Sequence, residues 1–208
     1  VRRRIAAMHG CSVDQVFAGN GSDEILALAT RAFVENDGSI GYFEPSYSLY
    51  PILADIRQAA RRPVALGPDF GWAMPDAYAA SLFFLTNPNA PTSLQHDPAT
   101  IAAFCARFPG VVIVDEAYAD FAPTDCMPLA TAPGNRNTLV MRTLSKSFSL
   151  AGIRFGYAVG PAELIEAHNE LTDTLRADQR FELEITLVEA ADRILGGLPG
   201  RIAAQAQR

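Results

Sequence analysis

Apolar residues recur along the chain in two alternating rhythms. Ile25, Leu28, Ala29, Ala32 and Phe33 fall at helical spacing and predict a helix up to about residue 35 with one buried face. Ser22 is the expected N-cap, with Asp23 and Glu24 in the first turn, and Asn36-Asp37-Gly38 ends the helix. Leu82-Phe83-Phe84-Leu85-Thr86 and Val111-Val112-Ile113-Val114 are continuous apolar runs of strand length, the kind a parallel sheet buries on both faces. Residues 15–18, 40–43, 63–66, 138–141 and 155–159 predict further strands. Residues 1–9, 47–59, 97–107 and 182–195 predict helices, as does the segment from Pro161, where proline suits position N1. Pro51 must then lie in the first turn of the 47–59 helix. This alternation predicts an α/β fold with a mostly parallel central sheet and helices on both faces.

Composition narrows the class of partner. The chain has 208 residues, 49% hydrophobic and 19% charged, which is enough to bury about 70% of the unfolded surface without a disulfide or metal staple. A formal net charge of −6 argues against nucleic acid, which is held by dense basic patches. Arg2-Arg3-Arg4 reads as a solvated helix face. No apolar run reaches the ~18 residues of a membrane span, and the early arginines lead into no signal-peptide pattern. Cys11, Cys105 and Cys126 form neither a disulfide framework nor a zinc pattern. They read as free thiols in a reducing cytoplasm. His9, His96 and His168 are scattered, with no metal-ligand spacing, so no metal is expected.

One count changes the picture. Of 17 basic residues, 16 are arginine, and Lys146 is the single lysine. Guanidinium cannot serve as an amine nucleophile, whereas an ammonium can lose its proton when burial or a neighbouring cation lowers its pKa. Chance retention in an arginine-biased sequence is the plain alternative.

Ligands of open α/β sheets bind beyond the carboxyl ends of the strands, and four polar segments fall there. Gly19-Asn20-Gly21-Ser22 is a glycine-rich turn into a helix start, an anion site if the N–H groups are free. It has neither the Gly-Lys-Ser/Thr of a nucleotide loop nor a Gly-x-Gly-x-x-Gly turn. Asp115 follows a four-residue apolar strand and is costly there unless it meets a positive partner. Asn87 to Thr92 is a proline-locked loop. Thr143-Leu144-Ser145-Lys146-Ser147 carries the only lysine, with Arg154 eight residues on. An imine-forming amine, a buried acid for a ring nitrogen and a phosphate cradle together fit pyridoxal 5'-phosphate. A nucleotide- or metal-binding α/β protein using Asp115 is a weaker alternative.

Asn20-Gly21-Ser22-Asp23-Glu24, Pro45-Ser46-Tyr47, Asn87-Pro88-Asn89-Ala90-Pro91-Thr92, Asp115-Glu116-Ala117-Tyr118 and residues 143–157 occur in an order and spacing that resemble the fold-type-I, class I/II aminotransferases. The Asn-Gly-Ser-Asp-Glu turn and the Leu-Ala-Gly after the lysine resemble the histidinol-phosphate branch of that family. The resemblance covers roughly residues 1–165 and implies a cofactor-binding large domain there. Residues 166–208 would be a helical continuation toward a small domain.

The resemblance also implies roles. Lys146 would attach pyridoxal 5'-phosphate covalently and move the proton between substrate carbon and cofactor. Asp115 would pair with the ring nitrogen, Tyr118 with the ring's phenolic oxygen, and Tyr47 would stack on the ring. Gly21, Ser22 and Asp23, with Thr143, Ser145 and Arg154, would hold the phosphate. Ala90 stands where the family places an asparagine, which leaves Asn89 as the substitute donor. The implied reaction is amino transfer between histidinol phosphate and 2-oxoglutarate, a small-molecule amino donor and a 2-oxo acid, in a cytoplasmic homodimer. Both ends read as cut in mid-element, without the family's N-terminal arm and C-terminal domain. A truncated, non-catalytic domain, another aminotransferase and a threonine-phosphate decarboxylase-like enzyme are the alternatives.

Overall fold

A computed structural model describes residues 1–178. The chain runs α1 (Arg2–His9), β1 (Val16–Asn20), α2 (Gly21–Phe33), β2 (Ser39–Glu44), α3 (Leu49–Arg57), β3 (Ala60–Ala65), β4 (Leu82–Thr86), α4 (Pro98–Arg107), β5 (Val111–Asp115), α5 (Met127–Thr131), β6 (Thr138–Thr143), β7 (Phe155–Val159) and α6 (Ala162–Asp178). The expected helix at 182–195 lies outside the described residues.

One seven-stranded sheet organises these elements, in the order β1-β7-β6-β5-β4-β2-β3. Strands β3, β2, β4, β5 and β6 are parallel, while β7 is antiparallel to both β6 and β1. The sheet is therefore mostly parallel, as the alternation predicts. The reversal at β7 has a local cause. The segment from residue 144 to 154 contains only a short 3-10 turn at Ala151–Ile153, and a parallel return needs a crossover of about a dozen residues, usually a helix.

Alternation along the strands builds two cores. Phe83, Leu85, Val112, Val114 and Val140 face a layer containing Ile5, Ile101, Phe104 and Met127 from α1, α4 and α5. Leu82, Phe84, Ile113, Leu139 and Met141 face the other layer, with Ile25, Leu26, Tyr50, Leu53 and Ile165 from α2, α3 and α6. Each such large side chain contributes about 1.5–3 kcal/mol on burial. β3 closes one edge and carries Pro63, which has no N–H for a further strand.

Two local expectations shift. The first helix of the glycine turn starts at Gly21 with Asn20 as N-cap, so Ser22 lies inside the first turn. The reason is the Glu24 carboxylate, which accepts the Asn20 backbone N–H at 2.6 Å and draws the start back by two residues. The 47–59 helix spans only Leu49–Arg57 and ends on Gln58 in the left-handed region at φ 60°. Pro51 does sit in its first turn.

Candidate functional site

Strand register brings the predicted polar segments to one rim. Thr86 pairs with Asp115, Asp115 with Met141, Thr143 with Gly156, and Asn20 with Phe155. The carboxyl ends of β4, β5, β6 and β1 thus meet the beginning of β7. Because β7 runs backwards, Arg154 at its start joins Asp115 and Lys146 on this rim.

Asp115 is buried at 4% exposure. Oδ1 accepts the Ala117 N–H at 3.0 Å and Oδ2 accepts the Tyr50 hydroxyl at 2.8 Å. Burial outweighs these bonds and pushes its carboxyl up to about 6, with nearby Asp23 adding to the rise and Lys146 opposing it. Among the described residues no cation is ion-paired with this carboxylate, and a protonated ring nitrogen would supply such a partner. Lys146 is exposed, and its Nζ lies 5.3 Å from the centroid of the Tyr118 ring.

The anion cradle is built from close backbone approach. A methyl group on Gly156 would lie 2.6 Å from Gly21 C and Ser22 N, so only glycine lets β7 reach the α2 start. Gly21 has φ +79°, and a Cβ there would meet Arg154 Nη2 at 2.7 Å. The first-turn N–H groups of a helix have no intrahelical acceptor and favour negative charge. The Arg154 guanidinium, half exposed, stands 3.5 Å from the Asp23 carboxylate. Thr143 Oγ1 donates to Ser145 Oγ at 3.0 Å and accepts the Ser145 N–H at 3.2 Å. Tyr47, exposed at 39%, donates its hydroxyl to Asp23 Oδ1 at 3.3 Å. Amine, buried acid, aromatic face and anion cradle together fit pyridoxal phosphate.

Asn89 is placed differently from the sequence expectation. Both hydrogens of its amide are spent on Pro45 O and Thr92 Oγ1, each at 3.0 Å, and Oδ1 accepts from Ser46 Oγ at 3.2 Å. Asn89 clamps its own loop to the end of β2, and no amide hydrogen is left for a ring oxygen.

Sequence reasoning missed Tyr50 and Thr86. Tyr50 reads as a core aromatic on the buried face of α3, yet its hydroxyl lies 2.6 Å from Thr86 Oγ1 as well as on Asp115. The available signal was a hydroxyl inside an otherwise apolar helix face, which demands a buried partner. Below the rim, Glu116 is also buried. It accepts the Cys126 N–H and pairs with Arg142, whose Nη2 also meets Asp125 at 2.9 Å. Among the described residues no group of three or more His, Cys, Asp or Glu could hold a metal ion. No described helix is long and apolar enough to cross a membrane.

The family described as aminotransferase class I and II matches residues 1–180, and the chain belongs to it. It is 42% identical over 175 residues to a histidinol-phosphate aminotransferase of Syntrophotalea carbinolica, covering 83% of this chain and 49% of that protein. It is 41% identical over 180 residues to the histidinol-phosphate aminotransferase of Geobacter sulfurreducens, covering 86% and 51%. The chain spans about half the length of the curated relatives it matches. Among solved structures, histidinol-phosphate aminotransferase from Sinorhizobium meliloti in complex with pyridoxal-5'-phosphate superposes at TM-score 0.71. That likeness covers 81% of this chain and 48% of the other at 22% identity, and it establishes the shared fold.

Proposed function

We propose that this chain forms the large, cofactor-binding domain of a pyridoxal 5'-phosphate-dependent aminotransferase that moves an amino group between histidinol phosphate and 2-oxoglutarate. The observation that carries the reading is the meeting of the sole lysine and a buried, cation-poor aspartate at neighbouring strand ends. Identity above 40% to relatives named histidinol-phosphate aminotransferase supports histidinol phosphate as one partner of the transfer. Residues 1–165 are the domain in question, working in a cytoplasmic homodimer.

When bound, the cofactor supplies an electron sink that stabilises negative charge at the amino-bearing carbon. The chain's residues supply the rest. Lys146 Nζ is the point of covalent attachment and carries the proton at that carbon. Asp115 keeps the ring nitrogen protonated, since a buried carboxylate gains most from an adjacent cation. Tyr118, beside Lys146, would offer its hydroxyl to the ring oxygen, and the exposed Tyr47 would offer its ring to the cofactor. Gly21, Ser22 and Asp23 offer first-turn N–H groups to the phosphate, and Thr143, Ser145 and Arg154 add hydroxyls and charge. With the Asn89 amide committed to its loop, the ring-oxygen contact would fall to Tyr118.

The test is borohydride reduction of the full-length protein with pyridoxal phosphate, followed by mass mapping. The reading expects one adduct on Lys146 and none in Lys146→Ala. An adduct elsewhere, or none, overturns it. A donor screen then checks the substrate: amino transfer from histidinol phosphate supports the assignment, whereas carbon dioxide release from an amino-acid phosphate points to a decarboxylase.

A further inference from the structure

Tyr50 is a buried polar side chain that the proposed chemistry leaves without a task. It lies three residues after Tyr47 on α3 and is 0% exposed. Its hydroxyl begins a row: Asp115 Oδ2 at 2.8 Å, Thr86 Oγ1 at 2.6 Å, then Ser46 Oγ at 3.2 Å from Thr86, and Asn89 Oδ1 at 3.2 Å from Ser46. These are four contacts served by three hydroxyl hydrogens.

With Asp115 ionised, the Tyr50 hydrogen goes to the carboxylate and the Thr86 hydrogen goes to Tyr50. The one Ser46 hydrogen is divided between Thr86 and Asn89. The Tyr50 and Thr86 dipoles then point at Asp115, and such rows strengthen bond by bond in a low-dielectric interior. A protonated Asp115 would supply the fourth hydrogen and reverse the row. The groups facing Asp115 are the Ala117 N–H, Asp23 from α2, Lys146 beyond β6, Tyr47 just before α3 and Tyr50 on α3. Asp23 opposes the charge and Lys146 favours it. Among the described residues, Tyr50 is the one side chain hydrogen-bonded to the carboxylate.

We infer that Tyr50 is a positioning residue for Asp115, fixing the orientation of its carboxylate and holding it charged, with Thr86 and Ser46 as the outer members of the same row. The catalytic significance rests on the cofactor site proposed above. The hydrogen-bond hold itself is tested without cofactor.

In the full-length protein freed of cofactor, the carboxyl infrared band removed by Asp115→Asn reports the titration of Asp115. In Tyr50→Phe its midpoint should rise by about one pH unit, the effect of losing a donor to the charged form. Thr86→Val should raise it less, and Thr86→Ser, which keeps the hydroxyl, should restore the parent value. A purely packing role would lower the melting temperature and leave the midpoint in place, and that result overturns the inference. If Tyr50→Phe does not fold, the Thr86→Val and Thr86→Ser pair decides by the same criterion. In the loaded protein, the pH titration of the visible band of lysine-bound cofactor should be displaced in Tyr50→Phe, and coincidence with the parent counts against the inference. If the parent shows no visible band at all, the cofactor reading fails, while the infrared titration still decides the hold of Tyr50 on Asp115.

Discussion

The Arg142 guanidinium reaches from β6 to the Glu116 carboxylate at the end of β5, with Nε at 2.9 Å and Nη2 at 2.8 Å from Oε2. Glu116 follows Asp115 directly, and Arg142 precedes Lys146 by four residues. The ion pair therefore ties together the two strand ends that carry the acid and the amine. Removing Glu116 leaves the largely buried Arg142 guanidinium with the half-exposed Asp125 carboxylate as its remaining ion-pair partner among the described residues. Glu116→Ala is expected to lose about 3 kcal/mol of stability, measured by equilibrium urea unfolding. Loss below the noise of that measurement would show that Asp125 alone satisfies Arg142.

Gly21 is the tightest point of the anion cradle. Alanine there must adopt φ +79° and push the Arg154 guanidinium aside. Gly21→Ala is expected to cost about 1 kcal/mol or more and to weaken cofactor binding at least tenfold, read by a visible-absorbance titration. Unchanged affinity would remove this turn from the phosphate site.

Burial drives the Asp115 carboxyl up to about 6, against about 3.9 in an unfolded chain. The cofactor-free folded state holds this proton more tightly than the unfolded state does. Stability from this group is therefore greatest below pH ~4 and declines as pH rises to ~6, by about 3 kcal/mol. Asp115→Asn has no such component. The unfolding free energy of Asp115→Asn should gain on the parent from pH 4 to 6 and run parallel above. A gap independent of pH would contradict the shift.

His9 works in the opposite sense. Its Nε2 lies 3.1 Å from the Tyr157 hydroxyl, and burial first, then the Arg142 charge, pull its pKa down to about 4. The unfolded chain takes up this proton near pH ~6.5, so stability is lost as pH falls from there toward 4. His9→Gln removes the titration and should flatten that acid limb in thermal melts across pH 4–7. An unchanged limb would place the acid sensitivity elsewhere.

Much of this rim was legible in the sequence. The apolar runs at 82–86 and 111–114 located two strands nearly to the residue, because strands buried on both faces tolerate little else. The lone Lys146 and the acid at the end of such a strand pointed to the chemistry before any coordinates. Three features were hidden. The direction of β7 is set by what the 144–154 segment can span, which a hydrophobic pattern does not encode. The commitment of Asn89 depends on Pro45 and Ser46, which are more than forty residues away. Tyr50 hid behind its ring: an aromatic on a helix's apolar face reads as core, and only the fold shows Asp115 under its hydroxyl.

The backward course of β7 has an architectural consequence. Val159 finishes beside Val16 and Val140, and a methyl on Gly160 would collide with Thr138 O where β6 begins. Having delivered Arg154 to the cleft, the polypeptide departs from the far border of the sheet. Lengthening or recombining the segments attached there should leave the cradle's spacing intact, whereas even a small insertion between Lys146 and Arg154 would pull the amine and the guanidinium out of step.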